Sequence, residues 1–214
     1  MTAHHSPGRC APARRQDVVV LQFDERRLPR PLSDLPVIAV TAPEDVDRTA
    51  EARRVVVLGT HADLATVLTR LLRTDRLDVE VGFVGSRWSA RRARTGAARR
   101  VPLIRDETGT VLTRAAYWLP PDEDSHTIAG EAVVDDTTLF DGEVAGVRIE
   151  PIAQLPGLRA SALTARRRPR RWVTGRAAQL GTTAALVVRD GVTGPRTVKR
   201  STFYRHTQGW LAVR

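Results

Sequence analysis

The first half of the chain alternates short apolar runs with one stretch that has helical spacing. Leucine and valine recur at positions 64, 67, 68, 71 and 72, which share one face of a helix over residues 62–73. The apolar runs have the length and β-branched content of strands, and they occupy residues 17–23, 35–41, 54–58 and 78–84. This alternation predicts a parallel α/β sheet.

Two connecting segments refine this picture. Residues 26–36 contain three prolines and therefore predict a loop where a crossover helix would otherwise be expected. Residues 42–53 predict a short helix, because Thr41 can cap it and Pro43 falls in its first turn.

From Val101 onward the pattern changes to short alternating runs separated by turn pairs such as Asp141-Gly142 and Asp190-Gly191. No helix longer than two turns is predicted there. We therefore predict a small parallel α/β domain over residues 16–100, followed by a β-rich, sandwich-like domain over residues 101–214. Residues 1–15 are polar and predict a disordered tail.

The composition excludes several classes of protein. The chain has 214 residues, 42% hydrophobic and 27% charged, so it can bury a core. Its apolar stretches fall short of the roughly 18 residues that span a membrane, and no secretory signal is recognisable. The single cysteine, Cys10, allows no internal disulfide. We expect a soluble, cytoplasmic protein.

The net charge of +10 comes from two arginine clusters and a basic C-terminal tail, set against an acidic middle segment. Residues 87–100 hold six arginines and residues 159–176 hold seven, with no acid in either segment, whereas residues 101–158 hold 11 acids against three arginines. One interpretation pairs the acidic segment with these clusters, inside the fold or across a homodimer. The other is a polyanion site, with Trp88 and Trp172 available for stacking. Its candidate residues are Arg87, Arg91, Arg92, Arg94, Arg167, Arg168, Arg170 and Arg171.

Metal and nucleophile chemistry have no motif to support them. The five histidines are scattered, with no H-E-x-x-H pattern, and no G-x-S-x-G occurs. We therefore predict no metal site, and a hydrolase finds no support.

Phosphate binding has a candidate in the turn from the 54–58 strand into the 62–73 helix. Gly59 permits a tight turn, Thr60 can donate to an oxygen, and His61 begins a helix whose dipole favours an anion. The alternative is that Thr60 or His61 only caps the helix. Asp63 in the first turn suits the dipole and needs no further role.

This order of elements resembles the diacylglycerol and sphingosine kinase branch of the lipid kinase and NAD kinase superfamily. Residues 55–64 (VVVLGTHADL) resemble the strand and G-G-D-G-T loop of that family, and Gly85-Ser86 resembles the start of its G-T-G-N-D loop. The resemblance implies a nucleotide site in the cleft between the two domains, formed by Gly59, Thr60, His61, Gly85 and Ser86. It also implies ATP and Mg²⁺ as ligands.

The chain departs from the family pattern at the positions of two carboxylates that the resemblance implies for phosphoryl transfer. His61 stands in place of the loop aspartate, and residues 156–160 (PGLRA) stand in place of a D-G-x-L-D segment, so both carboxylates are missing. Phosphoryl transfer needs such groups to hold the metal and orient the acceptor.

Three functions therefore remain open. The first is a non-catalytic kinase-like protein that binds a nucleotide or phosphorylated ligand, such as an anionic lipid. The second is an arginine-rich protein that binds nucleic acid or another polyanion, and the third is a structural or partner-binding protein.

Overall fold

The computed structural model describes residues 17–122 and 124–214, so the predicted tail lies outside the described residues. Its first half is a sheet with helices on both faces. The strands are β1 (Val18–Gln22), β2 (Val37–Ala39), β3 (Arg54–Leu58), β4 (Glu80–Val84) and β5 (Ala98–Val101), and the α-helices are α1 (His61–Arg73) and α2 (Ala90–Thr95). Short 3-10 helices occupy Arg30–Leu32, Pro43–Thr49 and Arg87–Ser89.

The first four strands run parallel in the order β2-β1-β3-β4. Successive residues of a strand point to opposite faces. Val55 and Val57 pack on the face covered by α1, and Val56 packs on the face covered by Ala90 and Ala93 of α2. All five residues of β3 are buried. The parallel α/β prediction is confirmed.

The second half is an antiparallel assembly of eleven strands. Its bounds are β6 (Ile104–Asp106), β7 (Val111–Leu112), β8 (Ala116–Leu119), β9 (Ile128–Val134), β10 (Thr137–Val144), β11 (Val147–Pro151), β12 (Leu158–Ala162), β13 (Val173–Gly175), β14 (Ala177–Arg189), β15 (Val192–Thr193) and β16 (Val198–Arg205). Strand β14 pairs with β9 over residues 178–182 and with β8 over residues 186–189, and its pairing with β16 shifts register between Gly181 and Ala185. Trp118 and Phe203 are fully buried in its core. The β-rich prediction is confirmed.

The last strand, β17 (Trp210–Val213), returns to the first sheet. It lies parallel to β4 and antiparallel to β5. The sequence pattern predicts residues 210–213 as part of the β-rich region, because the alternation of a strand does not identify the sheet that it joins.

Two helices differ from the sequence predictions. The helix predicted over residues 42–53 is the shorter 3-10 helix Pro43–Thr49. Helix α2 lies inside the first arginine cluster, where no helix is predicted. It forms because Ala90 and Ala93 pack closely on β4, and a Cβ on Gly82 would lie 2.5 Å from the Ala93 carbonyl oxygen. Of the described helices, none is long and apolar enough to cross a bilayer.

The two halves share a contact surface along α1. Leu103 and Val111 of the β-rich half belong to the core cluster that α1 forms with the first sheet. The Val111 amide also donates to Thr69 Oγ1 of α1 at 2.9 Å. One side of α1 therefore packs against the sheet, and another meets the β-rich half.

Candidate functional site

The loops predicted to bind phosphate lie side by side at the carboxyl ends of the parallel strands. Leu58 of β3 pairs with Val84 of β4, so Gly59 and Gly85 follow neighbouring strand ends. The Phe83 ring joins the two loops. Its centroid lies 4.8 Å from that of His61, and a Cβ on Gly85 would lie 2.9 Å from its Cε1 atom.

The donors of Thr60 are engaged by Asp63. The Thr60 amide and hydroxyl both donate to Asp63 Oδ2, at 2.6 and 2.8 Å, and the Asp63 amide donates back to Thr60 Oγ1 at 3.2 Å. This is a capping box, and Thr60 is the helix cap, as the alternative interpretation of the turn states. A Cβ on Gly59 would lie 2.6 Å from the same carboxylate oxygen, so the carboxylate packs directly against the glycine.

His61 connects this turn to the β-rich half. Its Nδ1 atom lies 3.1 Å from Thr113 Oγ1, and that hydroxyl also lies 3.0 Å from the His61 carbonyl oxygen and 3.0 Å from Asp190 Oδ2. The ring is half-buried. Burial is the main cause that lowers the pKa of His61, and the charge of Arg114 lowers it further against the opposing effect of Asp190. The imidazole is therefore neutral at pH 7.

Asp190 holds the segment that faces His61. Its two carboxylate oxygens accept from the amides of Thr113, Arg114 and Ala115 at 2.7 to 3.0 Å, in addition to the Thr113 hydroxyl. Asp190 and Gly191 both adopt positive φ at the tip of the β14–β15 hairpin. The sequence pattern predicts this pair only as a turn.

A cavity of about 360 Å³ extends from this junction along α1. One wall is the stripe of α1 from Ala62 through Thr66 and Thr69 to Arg73, and the opposite wall is formed by β7 and the 189–195 hairpin. Much of the lining is apolar. Arg70, Arg73 and Arg189 bring three guanidinium groups to it. Arg70 forms an ion pair with Asp47, and Arg189 forms one with Asp106. Arg73 is exposed.

None of the five residues predicted to bind phosphate lines this cavity. Gly59, Thr60 and His61 directly precede its first lining residue on α1, Ala62, and Gly85 and Ser86 are exposed beyond β4. Residues 156–160 lie elsewhere. A Cβ on Gly157 would lie 2.9 Å from Arg205 and 3.3 Å from Pro102, which follows the end of β5. These residues are near the amino end of β4, where β17 begins, and not at the Gly59 turn.

The first arginine cluster contains one arginine that forms an ion pair and others that are exposed. Arg94 donates to both oxygens of Asp34, at 2.6 and 2.8 Å, and this contact lowers the pKa of Asp34. Arg91 and Arg92 are exposed on α2. Of Arg87 the structure describes only the backbone.

In the second cluster, Arg159 pairs with Glu150 and stacks on Trp172 at 4.3 Å. Of the remaining arginines, Arg176 follows β13 and the other five lie on the turn between β12 and β13. Hydrogen bonds order this turn, from the Arg167 amide to the Thr164 carbonyl at 2.7 Å and from the Thr164 amide to the Arg168 carbonyl at 2.9 Å. Its exposed side chains are Arg166, Arg167, Arg168, Arg170 and Arg171.

Comparison with solved structures identifies the fold. The chain matches a diacylglycerol kinase from Bacillus anthracis str. Sterne with a TM-score of 0.70 at 8% identity, over 95% of this chain and 98% of that chain. An NAD kinase from Archaeoglobus fulgidus in complex with ATP gives 0.61 at 11% identity, over 92% and 93%. The chain has the fold of these kinases.

A yeast NADH kinase complexed with NADH shares this kinase fold with a TM-score of 0.53 at 11% identity, over 85% of this chain and 67% of that chain. No protein-family model matches the sequence, and no curated protein matches it significantly. The resemblance to the diacylglycerol and NAD kinases is thus confirmed at the level of the fold, while the activity has to be argued from the residues.

The contacts of three residues at this junction, Asp63, Thr113 and Asp190, are not predicted from the sequence. Asp63 is recognisable in retrospect from the T-x-x-D spacing of a capping box. Thr113 and Asp190 carry no local signal, because their importance arises from a contact between distant segments. Among the described residues, no group of three or more His, Cys, Asp or Glu is arranged to hold a metal ion.

Proposed function

We propose that this protein binds a nucleotide or another phosphorylated ligand in the cavity along α1 and does not transfer a phosphoryl group. The observation that carries the proposal is the cavity itself. Its volume of about 360 Å³ is within the range of small-molecule sites, and it lies between the two halves of a fold shared with nucleotide-dependent kinases.

The lining has the chemistry of a phosphorylated ligand with an apolar or aromatic body. Ala62, Ala65 and Val111 give an apolar surface, and the hydroxyl of Thr66 lies between them and Arg73 along α1. Guanidinium groups bind phosphate oxygens through paired donors. Arg73 is the cation of this lining best placed to do so, because Arg70 and Arg189 are already engaged by carboxylates.

The residues at the Gly59 turn argue against turnover. A neutral His61 stands where the resembling loop has an aspartate, and Mg²⁺ prefers oxygen ligands. Asp63 is the acid nearest to the turn, and its Oδ2 atom already accepts from Thr60. Residues 156–160 contain no acid and lie away from the turn. The carboxylates on which phosphoryl transfer depends are thus not supplied at either position.

Calorimetric titration with ATP and with NADH tests the binding. Thr66→Phe fills the middle of the cavity, and we expect it to weaken binding at least tenfold. Thr95→Phe is the matched control, because both threonine hydroxyls donate to the carbonyl four residues earlier, at 3.1 Å in α1 and 3.0 Å in α2. Equal affinities in the two variants, or no binding of either nucleotide to the wild type, would overturn the proposal.

A second assay separates binding from transfer. Incubation with γ-labelled ATP, Mg²⁺ and either diacylglycerol or NAD is expected to give no labelled product. Labelled product that is lost in Thr66→Phe would show that the cavity is a kinase site, and only the non-catalytic part of the proposal would fall.

A second candidate function rests on the ordered turn between β12 and β13. Five exposed arginines within six positions give a dense positive surface on a defined backbone, as polyanion binding requires. Neutralising Arg167, Arg168, Arg170 and Arg171 to Gln should abolish salt-sensitive binding of a single-stranded oligonucleotide. Binding that does not change with salt concentration would exclude this function.

A further inference from the structure

A second cavity lies at the opposite edge of the first sheet from the Gly59 turn. Its volume is about 380 Å³. It is formed where β17 begins beside β5, where β16 ends, and where the 152–157 turn folds over them. Since Leu211 pairs with Glu80, the first residue of β4, this is the amino edge of the parallel strands, and we name it the amino-edge cavity.

Three basic side chains line the amino-edge cavity: Arg100, Arg205 and His206. None of its described lining residues carries a carboxylate. Burial lowers the pKa of His206, and the charge of Arg105 lowers it further. The basic side chains of the cavity are thus not neutralised by an acid among its described lining residues.

Backbone carbonyls hold both guanidinium groups in place. Arg205 donates one Nη1 bond to the Pro156 carbonyl at 3.0 Å, and Arg100 donates one to the Gly209 carbonyl. A guanidinium has five N–H donors, so a carbonyl contact through one terminal nitrogen orients the group and leaves other donors for an anion. Such oriented pairs suit the oxygens of a phosphate.

The rim of the cavity is apolar on one side. Leu155 is 72% exposed, although it is a large hydrophobic residue on an otherwise ordered turn. It sits beside Pro102 and Ala153 in the same lining. An apolar rim next to the two arginines Arg100 and Arg205 suits a phosphate that is attached to a larger apolar group.

We propose that the amino-edge cavity binds the phosphate group of an ester, held by Arg100 and Arg205 with His206 beside them. The phosphate belongs either to a soluble ester or to the headgroup of a lipid whose chains contact Leu155. This site is separate from the cavity along α1, so it does not depend on the function proposed for that cavity.

Two probes distinguish the sources. Glycerol 3-phosphate is titrated in solution, and sedimentation is measured with vesicles of phosphatidylglycerol against vesicles of phosphatidylcholine. The Arg100→Gln/Arg205→Gln double variant is expected to lose at least tenfold in affinity for whichever probe binds. The control is Arg27→Gln/Arg30→Gln, which removes the same charge from exposed positions between β1 and β2 and is expected to leave binding unchanged.

A soluble source predicts binding of glycerol 3-phosphate that Leu155→Ser does not alter. A lipid source predicts binding to phosphatidylglycerol vesicles alone, weakened severalfold by Leu155→Ser. If loss of the Arg205 contact with Pro156 unfolds the double variant, Arg100→Gln alone carries the test. Equal losses in the site variant and the Arg27/Arg30 control, or no binding of either probe at low salt, would overturn the proposal.

Discussion

The two edges of the first sheet differ in the groups that they offer to an anion. At the carboxyl edge, where parallel α/β proteins usually bind phosphate, the chain's own carboxylates occupy the donors: Asp63 takes those of Thr60, and Asp190 takes three amides of the facing segment. At the amino edge, three basic groups line a cavity in which no described residue is acidic. The same kinase fold can therefore fill its expected anion site internally and present basic groups elsewhere.

The largest expected effect is on Asp190, the carboxylate that holds the segment facing His61. Asp190→Asn replaces one of two accepting oxygens by an NH₂ group that faces amide donors. We expect a loss of about 3 kcal/mol in the free energy of unfolding, because donors to a charged acceptor lose about 1.5–3 kcal/mol when it is removed. Chemical denaturation measures it.

Asp141→Asn is the control for this substitution. Asp141 also precedes a glycine but is exposed, so its replacement is expected to change the unfolding free energy by less than about 0.5 kcal/mol. Similar losses in both variants would mean that Asp190 is no more important than a surface aspartate, and the contrast between the edges would lose its basis.

The next effect isolates the hydroxyl that His61 and Asp190 share. Thr113→Val keeps the shape of the side chain and removes its hydrogen bonds, and we expect a loss of about 1–2 kcal/mol in unfolding free energy. Thr113→Ser restores the hydroxyl and should recover most of the loss. If Ser is as destabilising as Val, packing of the methyl group and not the shared hydroxyl accounts for the effect.

Replacing Asp63 should lower the free energy of unfolding by a smaller amount and increase the affinity for ATP. Asp63→Ala breaks the capping box at a cost of about 1 kcal/mol. It also frees the donors of Thr60 and removes a negative charge, whose repulsion of an anion at 4 Å in water is worth about 1 kcal/mol, or about fivefold in affinity for ATP.

Asp45→Ala is the matched control for that gain. Asp45 accepts from the Thr41 amide and hydroxyl at 2.9 and 3.1 Å, in the same kind of cap at another helix. It should lose stability without gaining affinity for ATP. A gain in both variants would show that any lost acid, and not the freed turn, increases the affinity.

The smallest effect is on the pH dependence of stability. Burial lowers the pKa of His61 below its ordinary 6.5, so between these two values the unfolded chain binds the proton more readily. The free energy of unfolding should therefore fall as pH decreases through 6.5 and level off below the folded pKa. His61→Gln should flatten this decline more than replacement of the exposed His126 does. An equal decline in the two variants would contradict the burial of the ring.

The sequence predicts the layout of this fold well and its functional contacts poorly. The stripe of leucines in α1 and the buried run of β3 are properties of single segments, so their pattern is sufficient to place them. The capping of α1 by Thr60 is local as well. The contacts of Thr113 with His61 and with Asp190 are not local, because these pairs are separated by 52 and 77 positions and meet only through folding.

The arginine clusters show the same limit. Their composition identifies them, but it cannot separate Arg94, which is paired with Asp34, from Arg91 and Arg92, which are exposed three and two residues earlier. Arg100 belongs to the amino-edge cavity only because β17 returns to the first sheet beside β5.

Amide resonances followed by NMR during titration with ATP test the central claim most directly, since they report which region of the molecule binds. The account predicts saturable shifts along α1 from Ala62 to Arg73 and in the 189–195 hairpin, with little change in the Thr60 amide, which remains hydrogen-bonded to Asp63. Shifts centred on Gly59 and Thr60, or confined to the arginine turn between β12 and β13, would contradict it.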